Sequence, residues 1–305
     1  MKTFICIVTS LAAAVLAASC AEEFNTARNA DPDISGMPIV FSTIPTKAAL
    51  ADASLVWQPG DHIAVYQYRG ASLMQKDICS TTSDGVAGEF IPESHTMNDE
   101  WITLSGPDDE RYSFFSYYPE SSLRPLSGST VTLDNVSSLQ VGTPGTVGPY
   151  LICWGKDETR VRGDIVSGNS YPAFAFSPKV AILNLIVSNP TETPLTLVAI
   201  RVTADAGLLS GTAELDIRTG GLTVVDGSGY VDLSPNVLVL PEEEVSIPVV
   251  VLPNVDIGSL SFDVTATDDD YAYTVVIADA PCDQLLSGLM YDIHAEISDI
   301  IKKDE

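Results

Sequence analysis

The side chains able to do chemistry in this chain are mostly carboxylates. Asp and Glu total 41 against 15 Lys and Arg, a net charge of -26 over 305 residues. They cluster as Asp108-Asp109-Glu110, Glu242-Glu243-Glu244 and Asp268-Asp269-Asp270. Clustered carboxylates can bind a hard cation such as calcium, and two of them facing one cleft can hydrolyse a glycosidic bond. None of the three runs has the EF-hand spacing with its central Gly and terminal Glu. The first and last sit where a loop leads into a strand-like segment, so they read as solvated loop tips that keep an acidic protein soluble. His62, His95 and His294 are too scattered for a local metal motif. The chain contains no GxSxG, HExxH, P-loop or GxGxxG. No catalytic residue, metal ligand or cofactor site is therefore assigned, and no enzyme activity is expected. The acidity also argues against nucleic acid as a partner, which requires a basic stripe, and against charge-driven recruitment to an anionic membrane. The apolar share, 45%, is too high for wholesale disorder.

Cysteine carries a different chemistry. Five are present and no CxxC occurs, so neither a zinc ribbon nor a redox motif is visible. Cys6 lies in the leader. Met1 to Cys20 combines a charged Lys2, an uncharged stretch from Phe4 to Ala18 that is short for a spanning helix of about 20 residues, and small residues Ala17, Ala18 and Ser19 ahead of Cys20. That is a signal peptide. Its ending, Leu16-Ala17-Ala18-Ser19-Cys20, resembles a bacterial lipobox, which implies cleavage before Cys20 and acylation of its thiol, tethering the protein to a membrane. The plain alternative is an ordinary secretory signal with a Cys at its end. Cys79, Cys153 and Cys282 remain, and an odd number cannot pair fully, so at least one is expected to be a buried free thiol.

Those groups must be positioned by strands. Glu22 to Gly36 is polar, without periodicity, and reads as a flexible spacer. Beyond it no convincing helical period appears. Short apolar runs bounded by Gly, Pro, Asn, Asp and Ser recur instead: Ile39-Val40-Phe41, 63–66, 112–115, 180–187, 195–202, 245–252, 260–265 and 271–277. This is the pattern of all-β sandwiches. Tyr291 to Ile297 alternates cleanly, which puts Tyr291, Ile293, Ala295 and Ile297 on one face and His294 on the other, wetter one. Val180 to Val187 is nearly continuous in apolar residues, as expected at the centre of a sheet covered on both faces. A charged, Gly- and Ser-containing stretch from Asp157 to Ser170 divides the chain. The organisation expected is 1–19 signal peptide, 20–36 lipidated Cys and spacer, 37–168 N-terminal β-sandwich domain and 169–305 C-terminal β-sandwich domain, each half about 130 residues and large enough for a core.

Several separated segments resemble one family. Trp57-Gln58-Pro59-Gly60-Asp61-His62-Ile63-Ala64-Val65-Tyr66, preceded by Thr46-Lys47-Ala48, resembles the W-x-x-G-D-x-I-x-V segment of fimbrillins. Phe114-Phe115-Ser116-Tyr117-Tyr118-Pro119 is similar to their aromatic strand ending in Tyr-Pro. Phe174 to Ala181 resembles the strand that opens their second domain. Ile200-Arg201-Val202, with Leu209-Ser210-Gly211 and Leu215-Asp216, resembles the pair that follows. Leu285-Leu286-Ser287-Gly288-Leu289-Met290-Tyr291 resembles the approach to their last strand, and Ala21-Glu22-Glu23 resembles a surface-export signal of lipoproteins in the lineage that makes them. Trp57 and Tyr117 as core aromatics, and Gly60-Asp61 as a turn, account for these residues as markers of fold.

The resemblance implies two tandem transthyretin-like Greek-key β-sandwich domains and a role as a type V pilus subunit, a lipid-anchored outer-membrane protein that enters a fimbrium after processing. In that family a trypsin-like protease removes the first strand, and a strand from the next subunit fills the groove left behind. Here the first strand is expected at Met37 to Ile44, with Arg28 before it and Lys47 after it. Only a cut at Lys47 removes the strand, which makes Lys47 the candidate processing site; the alternative is an exposed lysine that is never cut. The residues after Tyr291–Ile297 leave little room for a donor arm, unless Tyr291 to Ile301 is itself the donor, so a tip or accessory subunit is favoured. The partners implied are other pilus subunits and, through Cys20, the outer membrane; a host or bacterial surface ligand is unknown. The alternative is a non-polymerising lipid-anchored module that binds glycans or another nutrient, for which Tyr66, Tyr68 and Trp154 are the candidate stacking residues.

Overall fold

The computed structural model describes residues 7–8, 40–44, 57–93, 102–120, 124–143, 146–169, 171–254, 256–267, 272–281, 284–297 and 301–302. Cys20, Arg28, Lys47, the spacer, Asp268-Asp269-Asp270 and Cys282 lie outside the described residues. In chain order the strands of the first half are β1 (Ile7–Val8), β2 (Phe41–Ile44), β3 (His62–Arg69), β4 (Ser72–Thr81), β5 (Glu89–Pro92), β6 (Arg111–Tyr118), β7 (Leu126–Ser127), β8 (Thr130–Val136), β9 (Leu139–Gln140) and β10 (Cys153–Val161). There follow the one-turn helix α1 (Arg162–Val166), β11 (Ala173–Ala175), β12 (Ser177–Pro178), β13 (Ala181–Ser188), β14 (Leu195–Ala204), β15 (Ser210–Asp216), β16 (Leu222–Ser228) and β17 (Tyr230–Leu233). The last are β18 (Val237–Val239), β19 (Glu244–Val251), β20 (Ser259–Thr267), β21 (Ala272–Pro281), β22 (Met290–Glu296) and β23 (Ile301–Lys302). The all-β expectation holds, and the apolar runs read from the sequence each fall within or overlap one of these strands.

Period-two patterning explains why. In β20, Leu260, Phe262, Val264 and Ala266 are buried while Ser259, Ser261, Asp263, Thr265 and Thr267 alternate with them on the wetter face. Four sheets result. The largest runs β11-β2-β5-β4-β3-β6-β10-β12. Its two ends, β11 and β12, are separated only by Phe176, so the sheet curls until its edges nearly meet. A seven-stranded sheet, β23-β21-β20-β14-β17-β9 with β18 also paired to β14, faces a smaller one, β1-β22-β13-β19, and the fourth is β16-β15-β8-β7.

Two hydrophobic cores lie between these layers, and they do not follow chain order. The first holds Phe41, Trp57, Tyr66, Phe114, Tyr117, Leu133, Trp154 and Phe174, and it also takes Ala213, Leu215 and Ile217 from the second half of the chain. The second holds Leu183, Leu185, Leu197, Val202, Val249, Phe262 and Ile293. Strand β13 joins them. Val180 and Ile182 pack into the first core, whereas Ala181, Leu183, Leu185 and Val187 pack into the second. The nearly continuous apolar run is thus covered on both faces only at its start. From Asn184 onward one face is polar or half-exposed, and Asn184 Nδ2 donates to Asp292 Oδ1 at 2.9 Å. Val250 against Val249 in β19, and Met290 against Tyr291 in β22, divide in the same way.

The β15–β16 hairpin ties the halves together. β15 pairs antiparallel with β8, Leu215 opposite Val131 and Ala213 opposite Leu133. At its tip, Trp154 Nε1 donates to the Ile217 carbonyl at 2.8 Å. Gly220 sits directly on the indole: its φ is +70°, and a Cβ there would lie 2.6 Å from Trp154 Cδ2. Only glycine accommodates both the left-handed backbone and the contact. Gly220→Ala should therefore destabilise the protein by about 1–3 kcal/mol from backbone strain alone, read as a lower urea midpoint with an unchanged slope.

Candidate functional site

The candidate site is the slot that β2 fills in the curled sheet. β2 lies between two partners, antiparallel to β5 with Phe41 opposite Phe90 and Ser42 opposite Glu89, and parallel to β11 with Ser42 opposite Ala173 and Thr43 opposite Phe174. Both edges of the short strand are used. The Ser42 amide donates to the Pro172 carbonyl at 3.0 Å and the Thr43 amide to the Gly88 carbonyl at 2.9 Å. The Thr43 hydroxyl oxygen also accepts the Gly88 amide at 2.8 Å. Without β2, the facing backbone groups of β5 and β11 lose these partners, and a buried amide or carbonyl left unpaired costs roughly 1–3 kcal/mol.

Side chains fix the strand in depth. Phe41 is fully buried, its ring 5.4 Å from that of Phe114 in an edge-on arrangement and 5.6 Å from that of Phe174 in a stacked one. Thr43 is 5% exposed. The floor beside them is aromatic: Trp57 packs edge-on against Phe90, Tyr118 and Phe176. Gly88 belongs to this packing as well, because a Cβ there would lie 3.0 Å from the Phe90 ring and 3.1 Å from Trp57.

The residues singled out in the sequence are mostly structural. Asp61 closes the turn before β3, its Oδ2 accepting the Gln58 amide at 2.9 Å and its Oδ1 the Tyr118 hydroxyl at 3.3 Å. Tyr117 donates its hydroxyl to Glu120 Oε2 at 2.7 Å, and Arg124 bridges Glu120 to Asp134. His62 lies 3.1 Å from Glu93 Oε1, while His294 is exposed on the outer face of β22. Asp108 pairs with Arg162 at 2.6 Å and Glu110 with Arg69 at 3.6 Å. Among the described residues no group of three His, Cys, Asp or Glu side chains converges as a metal site. Tyr66, Tyr68 and Trp154, considered for stacking on sugars, are 0%, 3% and 8% exposed; their faces are spent on the core, which removes them as a sugar platform. Tyr291 to Ile297 is likewise not free as a donor, because β22 is paired in parallel with β13 and buries Tyr291, Ile293, Ala295 and Ile297.

Neither a protein-family model nor a curated protein sequence matches the chain. Solved structures do. A candidate cell adhesion protein from Bacteroides uniformis ATCC 8492 superposes with a TM-score of 0.61 at 18% identity, over 88% of this chain and 96% of that one. A second, from Bacteroides ovatus ATCC 8483, gives 0.59 at 16% identity over 88% and 96%. A third, from Bacteroides fragilis NCTC 9343, gives 0.51 at 15% identity over 85% and 87%. The chain shares the fold of these proteins.

The thiols confirm how dry the first core is. Cys79 and Cys153 are both free and fully buried. Burial pushes the Cys79 thiol well up, and the nearby carboxylates of Asp77 and Glu93 push the same way. Burial pushes Cys153 up to about 12 against the opposing charge of Lys179, and Tyr66 up to about 12. Phe41→Ala should cost about 3–5 kcal/mol and expose the segment around β2 to limited proteolysis. Because the native state holds the Cys153 and Tyr66 protons more tightly than the unfolded chain, their contribution to stability is intact below pH 9 and is lost as pH rises toward about 12. The urea midpoint should fall over that window, and both thiols should resist Ellman's reagent at pH 8 until the protein unfolds.

Proposed function

We propose that the chain is a structural and adhesive cell-surface protein of the fimbrillin kind, which acts by exchanging a strand and displaying a surface rather than by chemistry on a substrate. The observation that carries this reading is the seat of β2: a short leading strand, paired on both edges, whose buried Phe41 fills an aromatic slot. In the proposal, lipid on Cys20 holds the precursor at the outer membrane, and a trypsin-like protease cuts after Lys47, just beyond β2. Loss of residues 37–47 leaves β5 and β11 with open edges, and a strand from a neighbouring subunit occupies the slot by β-strand addition. The fold shared with candidate cell adhesion proteins of Bacteroides fits a surface role. The burial of β22 in its own sheet favours a subunit that receives a strand over one that gives its last strand away, which suits a tip or accessory position. We take 37–168 and 169–305 as the two domains of such a subunit, with β11, β12 and the β15–β16 hairpin reaching across to the first core.

Low-dose trypsin on the purified precursor tests the reading. A new N-terminus at Ala48, followed by multimers that survive an unboiled gel, is the expected result. A chain that stays uncut and monomeric overturns it and moves the assignment to a lipid-anchored binding module.

A further inference from the structure

A strand edge other than those of the β2 slot is left at β16. Among the described residues β16 is the outer strand of its sheet, paired on one side with β15, Ala213 opposite Val224 and Leu215 opposite Leu222. A groove of about 730 Å3 runs along it. Leu222, Thr223 and Val224 all line that groove. Consecutive strand residues point to opposite faces, so a cavity that touches all three meets the strand along the edge turned away from β15. The opposite wall is already in place. Asn254 and Leu285 form an antiparallel bridge, and the Leu286 amide donates to the Tyr291 hydroxyl at 2.8 Å. Leu208 and Leu286, with Pro253, make the lining largely apolar.

One cation lines the groove. The half-buried Lys179 places Nζ 4.8 Å from the centre of the Trp154 ring. In a chain with 41 acidic residues and 15 basic ones, no carboxylate pairs with Lys179 among the described residues. Removal from water lowers its pKa, a cost that an incoming carboxylate would offset.

We propose that the free edge of β16 docks an extended peptide segment, apolar at alternate positions and bearing a carboxylate that meets Lys179. A strand is the occupant that satisfies an open strand edge: its backbone pairs with Leu222 to Val224 while its alternate side chains enter the apolar lining. The site is independent of the cut after Lys47, since it is present with β2 in its slot.

The probe is the peptide Ser-Val-Thr-Val-Thr-Val-Glu, titrated calorimetrically into the full, uncut chain, with amide hydrogen exchange read over residues 222–228. Binding at micromolar to sub-millimolar concentration, with slowed exchange in β16, is the expected result. Replacing the terminal Glu of the peptide by Lys, or Lys179→Gln in the protein, should each weaken binding about tenfold, as loss of one charge-assisted contact does. A peptide N-methylated at alternate residues should not bind, because it cannot pair with the edge. The proposal is overturned if the peptide does not bind at millimolar concentration. It is equally overturned if the N-methylated peptide binds as well, which would make the groove a slot for any apolar chain, or if Lys179→Gln changes nothing. A chain that resists trypsin yet binds the peptide refutes the processing scheme alone; one that assembles but ignores the peptide refutes this site alone.

Discussion

Backbone pairing at the edges of the curled sheet is the constraint on which the first half of the molecule depends. A sheet that bends until its ends meet has few free edges, which protects it from pairing with strangers. Here the bend is completed by β2, only four residues long. So short a strand contributes little core of its own beyond Phe41, worth about 2–3 kcal/mol of burial, yet it satisfies backbone groups on both neighbours. Its importance is therefore out of proportion to its length: an occupant of the same shape could replace it, but an empty slot could not persist beside water-excluded aromatics.

The second constraint is that the two cores share a wall. Residues of β13, β19 and β22 alternate between them at one end of the small sheet, so neither core closes without that sheet. The β15–β16 hairpin adds a tie in the other direction by pairing with β8 and resting its tip on Trp154. Unfolding of one half should expose apolar surface of the other, which makes the two halves a single cooperative unit despite their separate sheets.

Legibility in the sequence follows the range of the interactions. Strands such as β14, β20 and β22 were readable because alternation is a local property of a half-buried strand. The run at Val180 to Val187 was readable as a strand, but not as one whose two faces enter different cores; its polar position Asn184, with Ser188 just after it, was the available signal. The hairpin's allegiance to the first core left no local trace, since Ala213, Leu215 and Ile217 show the same period whichever core they enter. Trp57 and the Gly60-Asp61 turn were legible as fold markers through their spacing. The aromatic residues considered for sugar stacking could not be sorted by sequence, because Tyr66, Tyr68 and Trp154 carry the same chemistry buried or exposed, and only packing decides which.

Charge distinguishes the two proposed strand sites. A net charge of -26 repels copies of this chain at long range, so any pairing between chains must be driven at contact, by backbone groups and apolar side chains after salt has screened the approach. The β2 slot meets that requirement with aromatic burial and carries no charge of its own among Phe41, Phe90, Phe114 and Phe174. At the β16 edge, Lys179 is the cation of an otherwise uncharged lining, and its field favours a carboxylate at short range. Under the two proposals above, the β2 slot would select on the shape of the side chains that enter it and the β16 edge on where a carboxylate falls along the strand.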